Sequence, residues 1–242
     1  MGFKVRGYTR EVTQEKVRDY SLFAIACEGS VTEPGYFRPF DGINRVKVDI
    51  IEDESEETGN SSPENVLKRV KDYIEEHQLS AEDGDSLWCV IDVDRWPQEQ
   101  IEELHSFCAQ KENWHLVISN PCIEIWLLYH TLADLRELGI ETSKDAKRVL
   151  DEKAKYYYFK YLPLMPVAVE NARNADSNPE GYMPELLETK VYQLGQALLE
   201  RIGKPRFEEF VAGLVRLEKE VLDKKKKKKD MKKPVNKRVA GG

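Results

Sequence analysis

The apolar positions along the chain change period several times, and each change marks an element. Residues 21–27, SLFAIAC, form a short continuous apolar run, as expected of a strand buried on both faces. Residues 45–52, RVKVDIIE, place Val46, Val48 and Ile50 on one side, which predicts a second strand with one wetter face. Ser62-Pro63-Glu64 is a helix start, with Ser62 as N-cap and Pro63 at the first helical position. Val66, Leu67, Val70, Tyr73 and Ile74 carry that helix to about Gln78. Residues 86–94, SLWCVIDVD, read as a third strand that ends in carboxylates, and WHLVI, 114–118, as a fourth. Between these two, PQEQIEELHSFCAQKEN is amphipathic, with Ile101, Leu104 and Phe107-Cys108 inward.

After the fourth strand, Ser119-Asn120-Pro121 is read as the cap of the helix CIEIWLLYHTL, apolar nearly all round and hence buried. Alternating strands and helices imply an α/β core with a mostly parallel sheet flanked by helices. From there the pattern is helical, over 143–158, 166–176, 186–202 and 205–222. The predicted organisation is a polar lead-in (1–20), an α/β core (21–135), a C-terminal helical extension (136–222) and a disordered basic tail (223–242).

Charge sharpens this division. The net charge of −7 combines a tail of ten Lys and Arg against two Asp with a body of 27 basic and 42 acidic residues, −15 in all. A like-charge block of this kind is read as a solvated tail, although lysine runs also neutralise nucleic-acid phosphates. No apolar run approaches the ~20 residues of a membrane span, and the first residues are too polar for a secretory signal, so a cytoplasmic protein is expected. Cys27, Cys89, Cys108 and Cys122 show no CxxC pairing, which argues against zinc and for reduced structural thiols. The chain has neither GxxxxGK[ST] nor GxSxG, which excludes a P-loop and a nucleophile elbow.

The candidate chemistry lies at strand ends. Asp92 and Asp94 are two residues apart, so on a continuing strand they point to one side. Two carboxylates at close range favour a cation between them, and Mg²⁺ uses one or two carboxylates plus substrate phosphate. Glu28 ends the first strand beside Gly29, which would let the chain turn tightly. Thr32 is a plausible N-cap for the following turn, Glu33 falls in that helix's first turn, and Glu124 opens the helix after the fourth strand. In open α/β sheets such strand ends are where ligands collect. Each acid also has a plainer reading, as a loop carboxylate or an answer to a helix dipole. The four histidines are scattered and are read as surface or packing residues.

Three stretches in order, CEGSVTEPGYF (27–37), VIDVDRW (90–96) and SNPCIEIWLLYH (119–130), resemble the RloB-like family of bacterial defence-associated proteins. AVENARNADSN (168–178) and LLETKVYQLGQAL (186–198) are similar to its C-terminal pattern. The resemblance implies a Toprim-like fold, the metal-binding α/β domain shared by topoisomerases, primases and related nucleases. Carried onto this chain, it implies that Glu28, Asp92 and Asp94 are the catalytic acids, holding Mg²⁺ or Mn²⁺. Glu33 and Glu124 are further candidate metal ligands, because Thr32 stands where related Toprim nucleases carry a second acid.

The implied activity is metal-dependent cleavage of nucleic acid, RNA or DNA and in some similar effectors tRNA, during antiphage defence. A companion ATPase is the implied partner, and the chain is a candidate homo-oligomer. Lys155, Lys160 and Arg173 on the helical extension are candidate phosphate contacts, or simply solvated charges. Two alternatives use the same features: a non-catalytic subunit that docks the ATPase, and a DxD glycosyltransferase.

Overall fold

The computed structural model describes residues 19–52, 62–93, 96–153 and 158–231. Its sheet has four parallel strands: β1 (Ser21–Cys27), β2 (Val46–Ile51), β3 (Ser86–Asp92) and β4 (Trp114–Ser119), in the order β2-β1-β3-β4. The connections carry α1 (Thr32–Phe37), α2 (Pro63–Glu76) and α3 (Gln98–Cys108). The α/β architecture expected from the pattern is present, with the helical extension following the sheet.

Strand alternation divides the core into two layers. Phe23, Ile25, Cys27, Val46, Val48, Trp88, Val90 and Val117 share one cluster with Tyr36, Phe37 and the later helices. Ala24, Ala26, Leu87, Cys89, Ile91, Leu116 and Ile118 face the other way, onto Val66, Leu67 and Val70 of α2 and Ile101 and Leu104 of α3. Every residue of β1 is buried because both faces are covered, which is why SLFAIAC has no polar alternation. The small Ala24 and Ala26 leave room for α2 and α3, while Phe23 and Ile25 fill the opposite layer.

The chain leaves β1 for β2 on one side and leaves β3 for β4 on the other. The gap between the carboxyl ends of β1 and β3 is therefore the topological switch point of the sheet, where open α/β folds bind ligands.

After β4 the core adds α4 (Glu124–Tyr129), and the extension follows with α5 (Ser143–Lys153), the single turn α6 (Tyr158–Tyr161), α7 (Met165–Ala175), α8 (Val191–Ile202) and α9 (Lys204–Met231). Trp126, Val149, Met165, Leu194 and Leu214 from these helices join the first layer of the sheet core.

Several boundaries differ from the sequence reading. Ser119 and Asn120 do not cap α4. The Ser119 hydroxyl lies 2.8 Å from that of Thr189, and the Asn120 amide donates to the Pro184 carbonyl at 3.0 Å. Residues 187–190 run beside the end of β4, through Leu187 N–H to Asn120 O, Asn120 N–H to Glu188 O and Lys190 N–H to Ile118 O, at 2.7–2.9 Å. This pairing holds 186–190 out of helix and delays α8 to Val191. Thr32 is the first residue of α1 and not its cap; Val31 occupies the cap position without a side-chain bond. Ser62 does cap α2, accepting the Asn65 N–H at 3.2 Å, with Pro63 following as expected. Backbone helix continues to Met231, through the lysines expected to be disordered from 223, because lysine is a good helix former. Among the described residues, no helix is long and apolar enough to cross a membrane.

Candidate metal centre

The acids at the switch point are fixed largely by backbone. The Glu28 N–H donates to the Val90 carbonyl at 2.9 Å, extending the β1–β3 ladder by one step. The Glu28 side chain then turns toward β3, and its Oε2 accepts the Asp92 N–H at 2.9 Å. Beneath them, Arg69 of α2 donates to the Cys27 carbonyl at 2.8 Å and the Ile51 carbonyl at 3.2 Å, tying the ends of β1 and β2.

Glu33 is buried, 5% exposed, in the first turn of α1. Its Oε1 accepts the Gly29 N–H at 3.1 Å. A Cβ at position 29 would stand 2.6 and 2.8 Å from the two Glu33 carboxylate oxygens. Gly29, in the bend between β1 and α1, therefore makes room for the Glu33 carboxylate; its φ is not positive, so the left-handed region is not what favours glycine here. Burial raises the Glu33 pKa above the ordinary carboxylate range. The backbone N–H groups of Glu33 and Gly29 oppose the rise, the charge of Glu124 adds to it, and Lys147 also opposes it.

Glu124 is 7% exposed, and its Oε2 has no hydrogen-bond partner among the described residues. A buried carboxylate oxygen left unpaired is costly, and a cation is one group that would satisfy it. Cys122 connects this acid to β3. Burial pushes its thiol pKa up, and the charges of Glu124 and Asp92 push it further.

Glu28, Glu33, Asp92 and Glu124 thus converge on one end of the sheet from β1, α1, β3 and α4. Asp94 and Lys155 lie outside the described residues. The other two candidate phosphate contacts are not joined to Glu33 or Glu124. Lys160 is exposed on α6, and Arg173 on α7 donates to Gln196 at 2.6 Å.

Among the described residues, no three His, Cys, Asp or Glu side chains form a group that could hold an ion as they stand. The donor set nonetheless suits a hard cation. It consists of carboxylate oxygens, one of them unpaired, and such cations keep waters or substrate oxygens in their remaining positions.

The family model for RloB-like proteins matches residues 23–198. The chain belongs to the RloB-like family. No curated protein and no solved structure matches it. The matched span of this RloB-like chain runs from β1 into α8 and includes all four described acids.

The span also includes a buried ion pair that the sequence reading passed over, within the 168–178 and 186–198 stretches. Lys190 Nζ lies 2.7 Å from both Asp176 oxygens, and Tyr192 donates to Asp176 at 2.8 Å. Cys122, two residues from Glu124, and Lys147, whose charge reaches Glu33, are not singled out by the sequence pattern. Cys122 was legible in part, since it stands two residues before Glu124 in SNPCIEIW. Lys147 had no signal, because nothing in the sequence says that α5 returns to the strand ends.

Proposed function

We propose that this RloB-like protein is a metal-dependent nuclease of the Toprim type, with its centre at the β1–β3 switch point. The observation that carries the reading is the buried Oε2 of Glu124, without a hydrogen-bond partner among the described residues, at the end of the sheet that also carries Glu28, Glu33 and Asp92. Glu28, Asp92 and Glu124 would hold Mg²⁺ or Mn²⁺, with Glu33 next to them and Asp94 completing the DxD pair. A bound divalent cation would supply charge stabilisation for a phosphodiester and lower the pKa of an attacking water.

The chain's own residues provide placement. The Asp92 N–H orients Glu28, the Gly29 N–H orients Glu33, and the covered faces of the sheet keep both carboxylates in a poorly hydrated setting. The proposed substrate is nucleic acid, with tRNA the first to try. The proposed setting is antiphage defence beside a companion ATPase.

The test is cleavage of pooled tRNA, single-stranded RNA and plasmid DNA with Mg²⁺ or Mn²⁺, alongside Mn²⁺ calorimetry. Cleavage and Mn²⁺ binding lost together in folded Glu28→Gln and Asp92→Asn variants is the expected result. A wild-type chain that neither binds Mn²⁺ nor cleaves would sink it. The second reading, a non-catalytic subunit that docks the ATPase, is favoured by the lack of a ready three-donor group among the described residues. It predicts a stable complex with the ATPase and no metal-dependent cleavage.

A further inference from the structure

The acids at the switch point pose an electrostatic problem for any nucleic-acid strand. A phosphate approaching Glu28, Glu33, Asp92 and Glu124 meets negative charge unless a cation faces it from the protein side as well. Helix α5 supplies one. Its first residue lies against the centre, with the Ser143 carbonyl 4.0 Å from the Cys122 sulfur. Cys122 stands two residues before Glu124. Lys147 is one helical turn beyond Ser143, at i+4, so the two share a face of α5. Ala146, Val149 and Leu150 anchor the helix in the core, while Lys147 is exposed.

Among the described residues, Lys147 forms no ion pair. Its neighbour Arg148 is committed to Asp145 at 3.8 Å and Glu152 at 3.4 Å. The charge of Lys147 nonetheless reaches Glu33. An exposed ammonium that forms no ion pair with the described residues retains its donors for an incoming anion.

We propose that Lys147 is a substrate-contacting residue of this centre, its ammonium meeting a non-bridging phosphate oxygen of a nucleic-acid strand laid across the carboxyl ends of β1 and β3. This rests on the nuclease reading and names a contact that the sequence did not indicate. Lys147 supplies positioning and charge, without a part in bond making. Arg148, already paired, makes no such contact.

The experiment measures binding of short fluorescein-labelled single-stranded RNA and DNA of mixed sequence to the full chain. It uses anisotropy with Ca²⁺ as the divalent ion, over a salt series. Lys147→Gln is expected to weaken binding about tenfold and to reduce the slope of log affinity against log salt by roughly 0.7, the value for one lost phosphate contact on a single strand. Lys147→Arg should bind nearly as wild type, and Arg148→Gln should be unchanged.

The inference is overturned if Lys147→Gln binds like wild type, if Arg148→Gln loses as much, or if the wild-type chain binds neither strand. Calorimetric Mn²⁺ titration of the same proteins separates the two levels. Equal Mn²⁺ binding by wild type and Lys147→Gln leaves the metal centre standing whatever Lys147 does. Loss of Mn²⁺ binding in Lys147→Gln would assign the residue to the architecture of the centre and overturn the substrate contact.

Discussion

The acid that ends β1 is held by the backbone of the acid that ends β3: Glu28 Oε2 accepts the Asp92 N–H at 2.9 Å. This bond closes the switch point and sets the distance between the two strand-end acids independently of any ion. Glu28→Gln keeps an oxygen in place and should fold with near wild-type stability, while losing the carboxylate charge that a cation needs. Glu28→Ala leaves the Asp92 N–H without this partner and should cost about 1.5–3 kcal/mol, the range for a hydrogen bond to a charged group. Urea unfolding and Mn²⁺ calorimetry of both variants check this. Equal Mn²⁺ affinity in Glu28→Gln and wild type would remove Glu28 from the ligand set.

Gly29 and Glu33 offer a finer probe of the same centre. The Gly29 φ is not positive, so alanine fits the backbone there. The obstacle is the Glu33 carboxylate, 2.6 Å from where the new Cβ would stand. That carboxylate is the far end of a flexible side chain and can move, with loss of its bond from the Gly29 N–H. Gly29→Ala should therefore change stability by less than about 1 kcal/mol, since stiffening the unfolded chain offsets part of the loss. It should still weaken Mn²⁺ binding about as much as Glu33→Gln does. A Gly29→Ala variant with unaltered Mn²⁺ affinity would show that the position of Glu33 does not matter to the centre.

Much of this was legible from local pattern. The four strands and the Ser62 cap followed from apolar period and start signals, because each depends on residues close in sequence. Glu28 and Asp92 were legible as strand-end acids for the same reason. What escaped depends on long-range contact. Ser119-Asn120 looks like a cap in sequence, yet both side chains bond to residues 184–189. Lys190 falls within the helix predicted over 186–202, yet it precedes α8 and is buried against Asp176. Lys155, Lys160 and Arg173 are the cations that the sequence offers on the extension, whereas the charge of Lys147 reaches Glu33, because α5 packs against the start of α4.

His130 gives the chain a pH dependence of its own. It is buried on the helix side of the sheet, in contact with Tyr36, Trp126 and Tyr161. The Trp126 carbonyl, 3.0 Å from Nδ1, can only accept, so Nδ1 carries the proton. Nε2 then accepts from the Tyr36 hydroxyl at 2.8 Å, an arrangement that requires neutral imidazole. Burial lowers the His130 pKa from 6.5 to about 4. Between these values the unfolded chain binds the proton and the folded chain does not. The stability tied to the neutral ring is therefore complete above pH 6.5 and is lost as pH falls toward 4. The loss is on the order of 3 kcal/mol. Urea unfolding of wild type and His130→Gln across this range should show a steeper decline for wild type. Parallel curves would mean that another group governs acid sensitivity.

Lys190 and Asp176 form an ion pair buried on both sides. Their side chains are 1% and 0% exposed, with Nζ 2.7 Å from each carboxylate oxygen and 2.6 Å from the Asn178 carbonyl. Asp176 also accepts from the Tyr192 hydroxyl and the Asn178 N–H. The lysine's three donors and the carboxylate are thus satisfied together, which is the condition for tolerating a buried pair. Lys190→Met leaves Asp176 buried without its cation and should cost about 3–5 kcal/mol. Asp176→Asn should be similarly harmful, because it strands the ammonium. The double variant carries neither charge, so it should be more stable than the sum of the two losses predicts, by at least about 1 kcal/mol. Because Lys190 also donates its N–H to Ile118 at the end of β4, the weakening should appear first as faster hydrogen exchange at residues 187–192. Additive losses in the double-mutant cycle would mean that each residue acts through its other bonds and that the pair itself contributes nothing.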